Sequence, residues 1–237
     1  MIMDLTKLTQ SRVVKEPTEL CIPVKELCDR YTRLYSGAIN DVLRERNLLY
    51  QTLPNNILPL REHMTVAGVA FTIKGSKNLS MENEMVQRAE MLEAIHPDSV
   101  VVWDTSNDDE SAQWGEVMTM AAIRRGCRGA VVDGGVRDTH KVLVQNFPVF
   151  ARYRTSNGML GRFRIIGYQM PIQIGRVQIF PGDIVFGDID GVLIIPREIA
   201  VDVLLRAEEI ERSEIEIKQW VNDGLSPQEV VKRGGYF

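Results

Sequence analysis

The 237-residue chain has only three cysteines, Cys21, Cys28 and Cys127, and none sits at the short spacing of a metal knuckle. An odd count cannot close into a self-contained disulfide framework, so the fold must rest on its core, and a reducing cytoplasm is the expected compartment. No apolar run approaches the roughly 20 residues that cross a bilayer. The first residues, MIMDLTKLTQSRVV, are too polar for a secretory signal, so no membrane role is expected. Long Lys/Arg runs are missing too, and the net charge is −4. Nucleic acid is therefore not expected as the main partner, because phosphate neutralisation needs a basic patch. An acidic small molecule stays open, since a local pocket can oppose the global charge. Repeats, low-complexity tracts and Pro/Gly/Ser linkers are also absent. Residues 1–237 thus read as one domain, with an N-terminal extension over 1–23 and a C-terminal helical arm over 197–237. What the chain does have is 44% hydrophobic and 25% charged residues, enough apolar material for an ordinary core.

Helical spacing appears over 24–34, over 37–46 with Ser36 as N-cap, and over 81–95. Residues 65–74 are rich in β-branched side chains and predict a strand. A fully apolar strand, Val100 to Trp103, ends at Asp104. After a polar loop, WGEVMTMAAIRRG predicts a helix that stops at Gly126 in the C′ position. The strand GAVVD follows at once, so 99–133 reads as a βαβ unit with two buried parallel strands. A short helix is expected over 139–146 and a strand at PVFAR. The stretch PIQIGRVQIFPGDIVFGDIDGVLIIP alternates like a β-meander, and a long helix over 197–222 closes the fold. The mixture predicts an α/β architecture with strands in more than one layer.

Chemistry concentrates in residues 129–140, GAVVDGGVRDTH. Ligands of open parallel sheets bind beyond the carboxyl ends of the strands. Asp133, Arg137 and Asp138 are expected beyond such an end, with Gly134 and Gly135 making the bend. The loop after Trp103, leading to the helix near Gly115, should face them. Asp138 supplies a carboxylate for a hard cation such as Mg2+, which keeps several waters. Arg137 is a permanent cation suited to a carboxylate or a developing enolate oxygen. The Gly115-Glu116-Val117-Met118 helix start offers free backbone N–H groups to an anion, with Glu116 close enough to order water on a metal. Together these parts fit a 2-oxo acid whose C–C bond, one carbon from the keto group, breaks under electrostatic and Lewis-acid stabilisation. His140 could serve as a base, although a cap or a solvent-facing position is the commoner fate of such a residue.

The stretch WGEVMTMAAIRRGCRGAVVDGGVRD resembles the RraA-like family, which carries an acidic residue, twenty intervening positions, then Arg-Asp. Glu116 and Arg137-Asp138 stand at that spacing. SGAINDVL with Asp41, VAGVAFTI, KNLS with Asn78, and PGDIVFGDIDGVLIIPREIA are similar to further parts of the family. That family includes class II 4-hydroxy-4-methyl-2-oxoglutarate aldolases and regulators of RNase E activity. Some members were once named dimethylmenaquinone methyltransferases. The resemblance implies a three-layer β/β/α, swivelling-domain-like fold with N- and C-terminal helices, assembled as a homotrimer or hexamer. It implies that Asp138 ligates Mg2+ (or Mn2+), that Glu116 supports metal-bound water, and that Arg137 contacts substrate. The amides of Val117 and Met118 would take the pyruvyl carboxylate. Glu214, or Glu211 as second choice, would approach through water from a neighbouring subunit. The implied activity is metal-dependent retro-aldol cleavage or decarboxylation of a pyruvate-derived oxo acid such as 4-hydroxy-4-methyl-2-oxoglutarate or oxaloacetate. A non-catalytic RNase E regulator and an enzyme of another hydroxy- or oxo-acid are the alternatives. Two positions depart from the family pattern: Glu116 replaces the usual Asp, and Lys141 stands where an acidic residue is common.

Overall fold

Apolar β-branched runs and amphipathic stretches alternate through the first two-thirds of the chain, and the backbone follows that alternation. The structure is a computed structural model that describes Thr6 and residues 18–236. In chain order the elements are α1 (Val24–Tyr31), α2 (Ser36–Glu45), β1 (Leu58–Pro59), β2 (Val66–Lys77), α3 (Glu84–Ala94), β3 (Ser99–Asp104) and β4 (Ala112–Trp114). There follow α4 (Glu116–Arg124), β5 (Gly129–Val136), α5 (Thr139–Val144), β6 (Val149–Arg154), β7 (Phe163–Tyr168), β8 (Ile172–Ile174) and β9 (Val177–Ile179). The chain ends with β10 (Ile184–Asp188), β11 (Gly191–Ile195), α6 (Ala200–Asn222) and α7 (Pro227–Lys232). Among the described residues, no helix is long and apolar enough to cross a membrane.

Strands β2, β3, β5 and β6 are parallel neighbours, as their continuous apolar runs require. The strands β10 and β11 extend this sheet antiparallel beyond β2, and β1 lies antiparallel beyond β6. The segment ahead of β1 also bonds to β11: Leu53 N donates to Val192 O and Ile194 N to Gln51 O, both at 2.9 Å. One connecting segment thus touches both edges, and the sheet nearly closes into a barrel. Inward side chains such as Ala70, Val102, Val131 and Phe150 pack against Ile172, Ile174, Val177 and Ile179 of the β8–β9 hairpin. The hairpin fills the inside of the sheet. Outward side chains such as Phe71, Trp103 and Val132 pack under the α3–α5 side, while α1, α2 and α6 cover β10 and β11. Hairpin, sheet wall and helices give the expected mixed α/β order.

Local signals held where their physics is strong. Gly126 adopts φ +74° after α4. Gly126 N donates to Ile123 O and Cys127 N to Ala122 O, both at 3.0 Å, which is a Schellman ending. Ser36 differs from expectation. It is the first helical residue of α2 rather than its cap, and its N–H is met from outside by Asp188 Oδ2 at 2.8 Å. Tertiary contact thus replaces the local cap. The edge strand β7 and short β4 were not predicted, and the capping-box helix α7 was not separated from the expected helical arm over 197–237. Of these, β7 exists only because it pairs with β2 far away in sequence.

Ile174 is fully buried within the barrel. Ile174→Ala is expected to cost about 2–5 kcal/mol in urea unfolding, whereas the exposed Leu205→Ala should stay within about 0.5 kcal/mol.

Candidate active site

The glycine pair does not end the strand, although the register of β5 with β6 shifts between Val132 and Gly135. Strand β5 runs through Gly134 and Gly135 to Val136, and Asp133 lies inside it, buried rather than beyond its end. The reason is crowding. A Cβ at Gly134 would lie 2.2 Å from Gln113 Oε1, and one at Gly135 2.6 Å from Ser111 O and from Tyr153 Cε2. The 105–113 loop lies directly on the strand, and only glycine leaves room for it. Gln113 Oε1 accepts from Gly135 N at 3.0 Å, while its Nε2 donates to Asp108 Oδ2 at 2.7 Å. Asp108 Oδ2 also accepts from Ser111 N at 2.9 Å and Ser111 Oγ at 2.6 Å. This buried network ties the loop to β5, and β4 pairs with the end of that strand.

That pairing brings the two expected segments together. Arg137 N donates to Trp114 O at 3.0 Å. The next residue, Gly115, sits so close that a Cβ there would lie 3.1 Å from Asp138 Oδ2 and 3.3 Å from Arg137 Cγ. Trp114 anchors the junction from below: it is buried, stacks on Phe147, and donates from Nε1 to Thr119 Oγ1 at 2.9 Å. Asp138 is the N-cap residue of α5 but has φ +53° and makes no side-chain cap bond. An ordinary N-cap has extended backbone and turns its carboxylate onto its own helix. Here the left-handed backbone leaves the carboxylate unspent, 3.5 Å from Arg137 Nε. Arg137 is half exposed, and its Nη1 lies where Gly158 permits it, 2.7 Å from a hypothetical Cβ there.

Helix α4 starts at the same point. Thr119 N makes its first intrahelical bond, to Gly115 O at 3.0 Å, so the amides of Val117 and Met118 precede the ladder. Val117 is exposed and Met118 is buried. Glu116 is held by Lys141 Nζ at 3.0 Å, and this carboxylate raises the Lys141 pKa. The two departures from the family pattern therefore face each other as an ion pair. His140 is exposed. Other expected residues lie elsewhere. Asp41 pairs with Arg44 on α2 at 2.9 Å. Glu214, on α6, accepts from Tyr35 and, at 2.9 Å, from Lys218; no contact among the described residues joins it or Glu211 to Asp138. Asn78 N donates to Arg162 O at 2.8 Å, and Arg162 Nη1 donates to Gly158 O at 3.1 Å. Its loop therefore borders the one against Arg137. Gly115 was expected at the helix start; the contributions of Gly158 and Gln113 were missed, since a lone glycine or glutamine in a loop carries no local signal of what approaches it.

The sequence pattern of the RraA-like family, Aldolase/RraA, matches residues 25–194. The chain belongs to that family. A Halalkalibacterium halodurans protein, whose name proposes 4-hydroxy-4-methyl-2-oxoglutarate aldolase activity, is 34% identical over 173 residues, 73% of this chain and 80% of its own. Protein DlpA of Legionella pneumophila is 31% identical over 169 residues, 71% of this chain, and the chain spans only 28% of its length. A solved structure, presented as one of novel cellulases from microbes associated with the gut ecosystem, is 52% identical with a TM-score of 0.86; the match covers 90% of this chain and 96% of that one.

Does this RraA-like site suit a divalent cation? Among the described residues, no group of three or more His, Cys, Asp or Glu side chains could hold a metal. An all-protein cage is therefore excluded within the described part of one chain. Asp138 has no hydrogen bond to its own helix, and Glu116 stands at the neighbouring helix start. One free carboxylate completed by water is the donor set that Mg2+ usually accepts, so the residues fit.

Gly134→Ala should destabilise the protein by about 1–3 kcal/mol in denaturant titration, because the Cβ must displace Gln113 from its buried bonds. The same change at the exposed, unhindered Gly224 meets no neighbouring atom, although its φ of +85° adds backbone strain.

Proposed function

We propose that the protein is a divalent-metal-dependent lyase acting on a pyruvate-derived 2-oxo acid, by retro-aldol cleavage, decarboxylation or both. The observation that carries this reading is the contact of Gly115 with Arg137 and Asp138, which joins a helix start, a permanent cation and a free carboxylate. Asp138 would hold Mg2+ or Mn2+, and Glu116 would order water beside it. Bound there, the cation would supply Lewis-acid polarisation of the carboxylate and keto oxygens of the substrate.

The chain's own groups have separate tasks. The Val117 and Met118 amides receive one carboxylate oxygen of the pyruvyl half. Arg137 faces the keto oxygen, on which negative charge gathers as the C–C bond breaks. In retro-aldol cleavage the 4-hydroxyl gives up its proton, a carbonyl forms on the departing half, and the bond's electron pair enters the pyruvyl half. In decarboxylation the departing half is CO2. Protonation of C3 then gives pyruvate in either case. Cytoplasmic placement, a single-domain chain and a homotrimer or hexamer go with this reading. In such an assembly Glu214 of one copy would reach the site of the next through water. The aldolase name of the Halalkalibacterium relative supports the reaction class.

Asp138→Asn keeps both size and tolerance of left-handed backbone while removing the charge. It should abolish Mg2+-dependent pyruvate release from 4-hydroxy-4-methyl-2-oxoglutarate and oxaloacetate, and Arg137→Met should lower kcat by about 10²–10³-fold. Full activity in Asp138→Asn would remove the metal role. Pyruvate release from neither acid, with reducing sugar appearing from carboxymethylcellulose, would favour the activity named for the cellulase relative. Release of neither, with a ribonuclease co-purifying, would favour the regulator.

A further inference from the structure

A row of charged side chains crosses the parallel strands inside the barrel. Register sets Lys74 of β2 opposite Asp104 of β3. Asp133 follows Val132 on β5, and Arg152 follows Ala151, the partner of Val132, on β6. Alternation along each strand puts all four on the inward face. Lys74 Nζ lies 2.6 Å from Asp104 Oδ2, and Arg152 Nε lies 3.0 Å from Asp133 Oδ1. Both carboxylates are buried, at 3% and 4% exposure.

The two pairs differ in kind. Lys74 donates a directed hydrogen bond to Asp104, whereas the Arg152 Nε–H makes none. Charge rather than a directed bond therefore joins Arg152 to Asp133, and that attraction depends on Asp133 being ionised. Burial pushes Asp133 up to about 6, opposed by Arg152, reinforced by Asp104 and opposed again by Lys74. These are the charged groups that face it from β6, β3 and β2. Arg152 also donates from Nη2 to Asp108 O, at the base of the loop network on β5. Thr105 Oγ1 closes the ring by donating to Asp133 O. A continuous set of contacts thus runs from Asp133 through Arg152 and Asp108 to Gln113, and from there through β4 to Gly115.

We propose that Asp133 and Arg152 are positioning residues, whose ion pair clamps the 105–113 loop onto β5 and thereby sets Gly115 against Arg137 and Asp138. The catalytic consequence rests on the lyase reading; the clamp does not. With Asp133 protonated, Arg152 keeps the Asp108 carbonyl and the face of Tyr153, 5.7 Å from its centroid.

The test pairs a pH profile with tryptophan emission, since Trp103 precedes Asp104 and Trp114 precedes Gly115. In the wild-type protein, kcat/KM for oxaloacetate or 4-hydroxy-4-methyl-2-oxoglutarate should fall on the acid side with a midpoint near pH 6, and emission should shift over the same range. Asp133→Asn should remove both dependences and lower kcat/KM about tenfold at alkaline pH, as a small misplacement of reacting groups does. Should that variant not fold, Arg152→Lys keeps the charge but weakens the grip, and the emission midpoint should move upward. An acid limb retained in Asp133→Asn overturns the proposal, as does wild-type emission that ignores pH or a midpoint unmoved in Arg152→Lys. Absence of turnover at every pH would overturn the lyase reading, while the emission titration would still decide the clamp.

Discussion

The close approach of one loop to one strand is the constraint on which the rest of the site depends. The 105–113 segment lies so near β5 that any side chain at Gly134 or Gly135 would overlap it. Removing two side chains from a central strand forfeits packing and adds chain entropy to the unfolded state, each a cost of the order of 1 kcal/mol. The return is position. With the loop pressed onto β5, strand β4 pairs with it, and Gly115 is delivered to Asp138 without any flexible linker between them. A third glycine completes the arrangement from the loop side, because even a methyl group at 115 would crowd the carboxylate.

Electrostatics then decides what such a meeting point can hold. Asp138 and Glu116 carry two negative charges, Arg137 and Lys141 two positive ones, so this small group is formally neutral. Exposed ion pairs such as Glu116–Lys141 contribute little to stability. Their effect here is on the field: Lys141 holds Glu116 at 3.0 Å, whereas Asp138 has a looser pair with Arg137 at 3.5 Å and no hydrogen bond to its own helix. The left-handed backbone at Asp138 matters for the same reason. An extended N-cap would have turned those oxygens onto the first amides of α5, and away from Arg137 and Gly115.

Much of this was legible in the sequence, and the division follows the range of the interactions. The Gly126 stop and the long terminal helix depend on contacts within a few residues, and the apolar runs of the βαβ strands are likewise local patterns, although the strands themselves pair across a long stretch of chain, Val100 opposite Gly129. The pairing of Glu116 with Arg137-Asp138 came from a family spacing, and the fold explains it: the helix and strand between them return the chain to the same end of the sheet. Asp133 was misplaced because a glycine pair after an aspartate looks the same whether it turns or simply yields space. The space is demanded by Gln113, Ser111 and Tyr153, the last of them on a different strand. Strand β7 and the Gly158 loop escaped notice for the same reason, since their partners are distant in sequence.

The charged row across the parallel strands shows what the arrangement costs. Asp133 has a folded-state pKa of about 6 against an ordinary value of 3.8. Between those values the native state binds more protons than the unfolded chain, so stability falls as pH rises through this window. Its carboxylate is thus ionised at neutral pH against the preference of the fold. A buried apolar residue would pack there at lower cost, as it does one layer deeper at Val131 and Val102. A carboxylate that ionises in spite of burial needs a compensating cation, and Arg152, which supplies it, also reaches the Asp108 carbonyl. The charge therefore holds Arg152 between Asp133 and the Asp108 carbonyl, a placement that an apolar residue at 133 would not require. That geometry is the one on which the loop, β4 and Gly115 all rest.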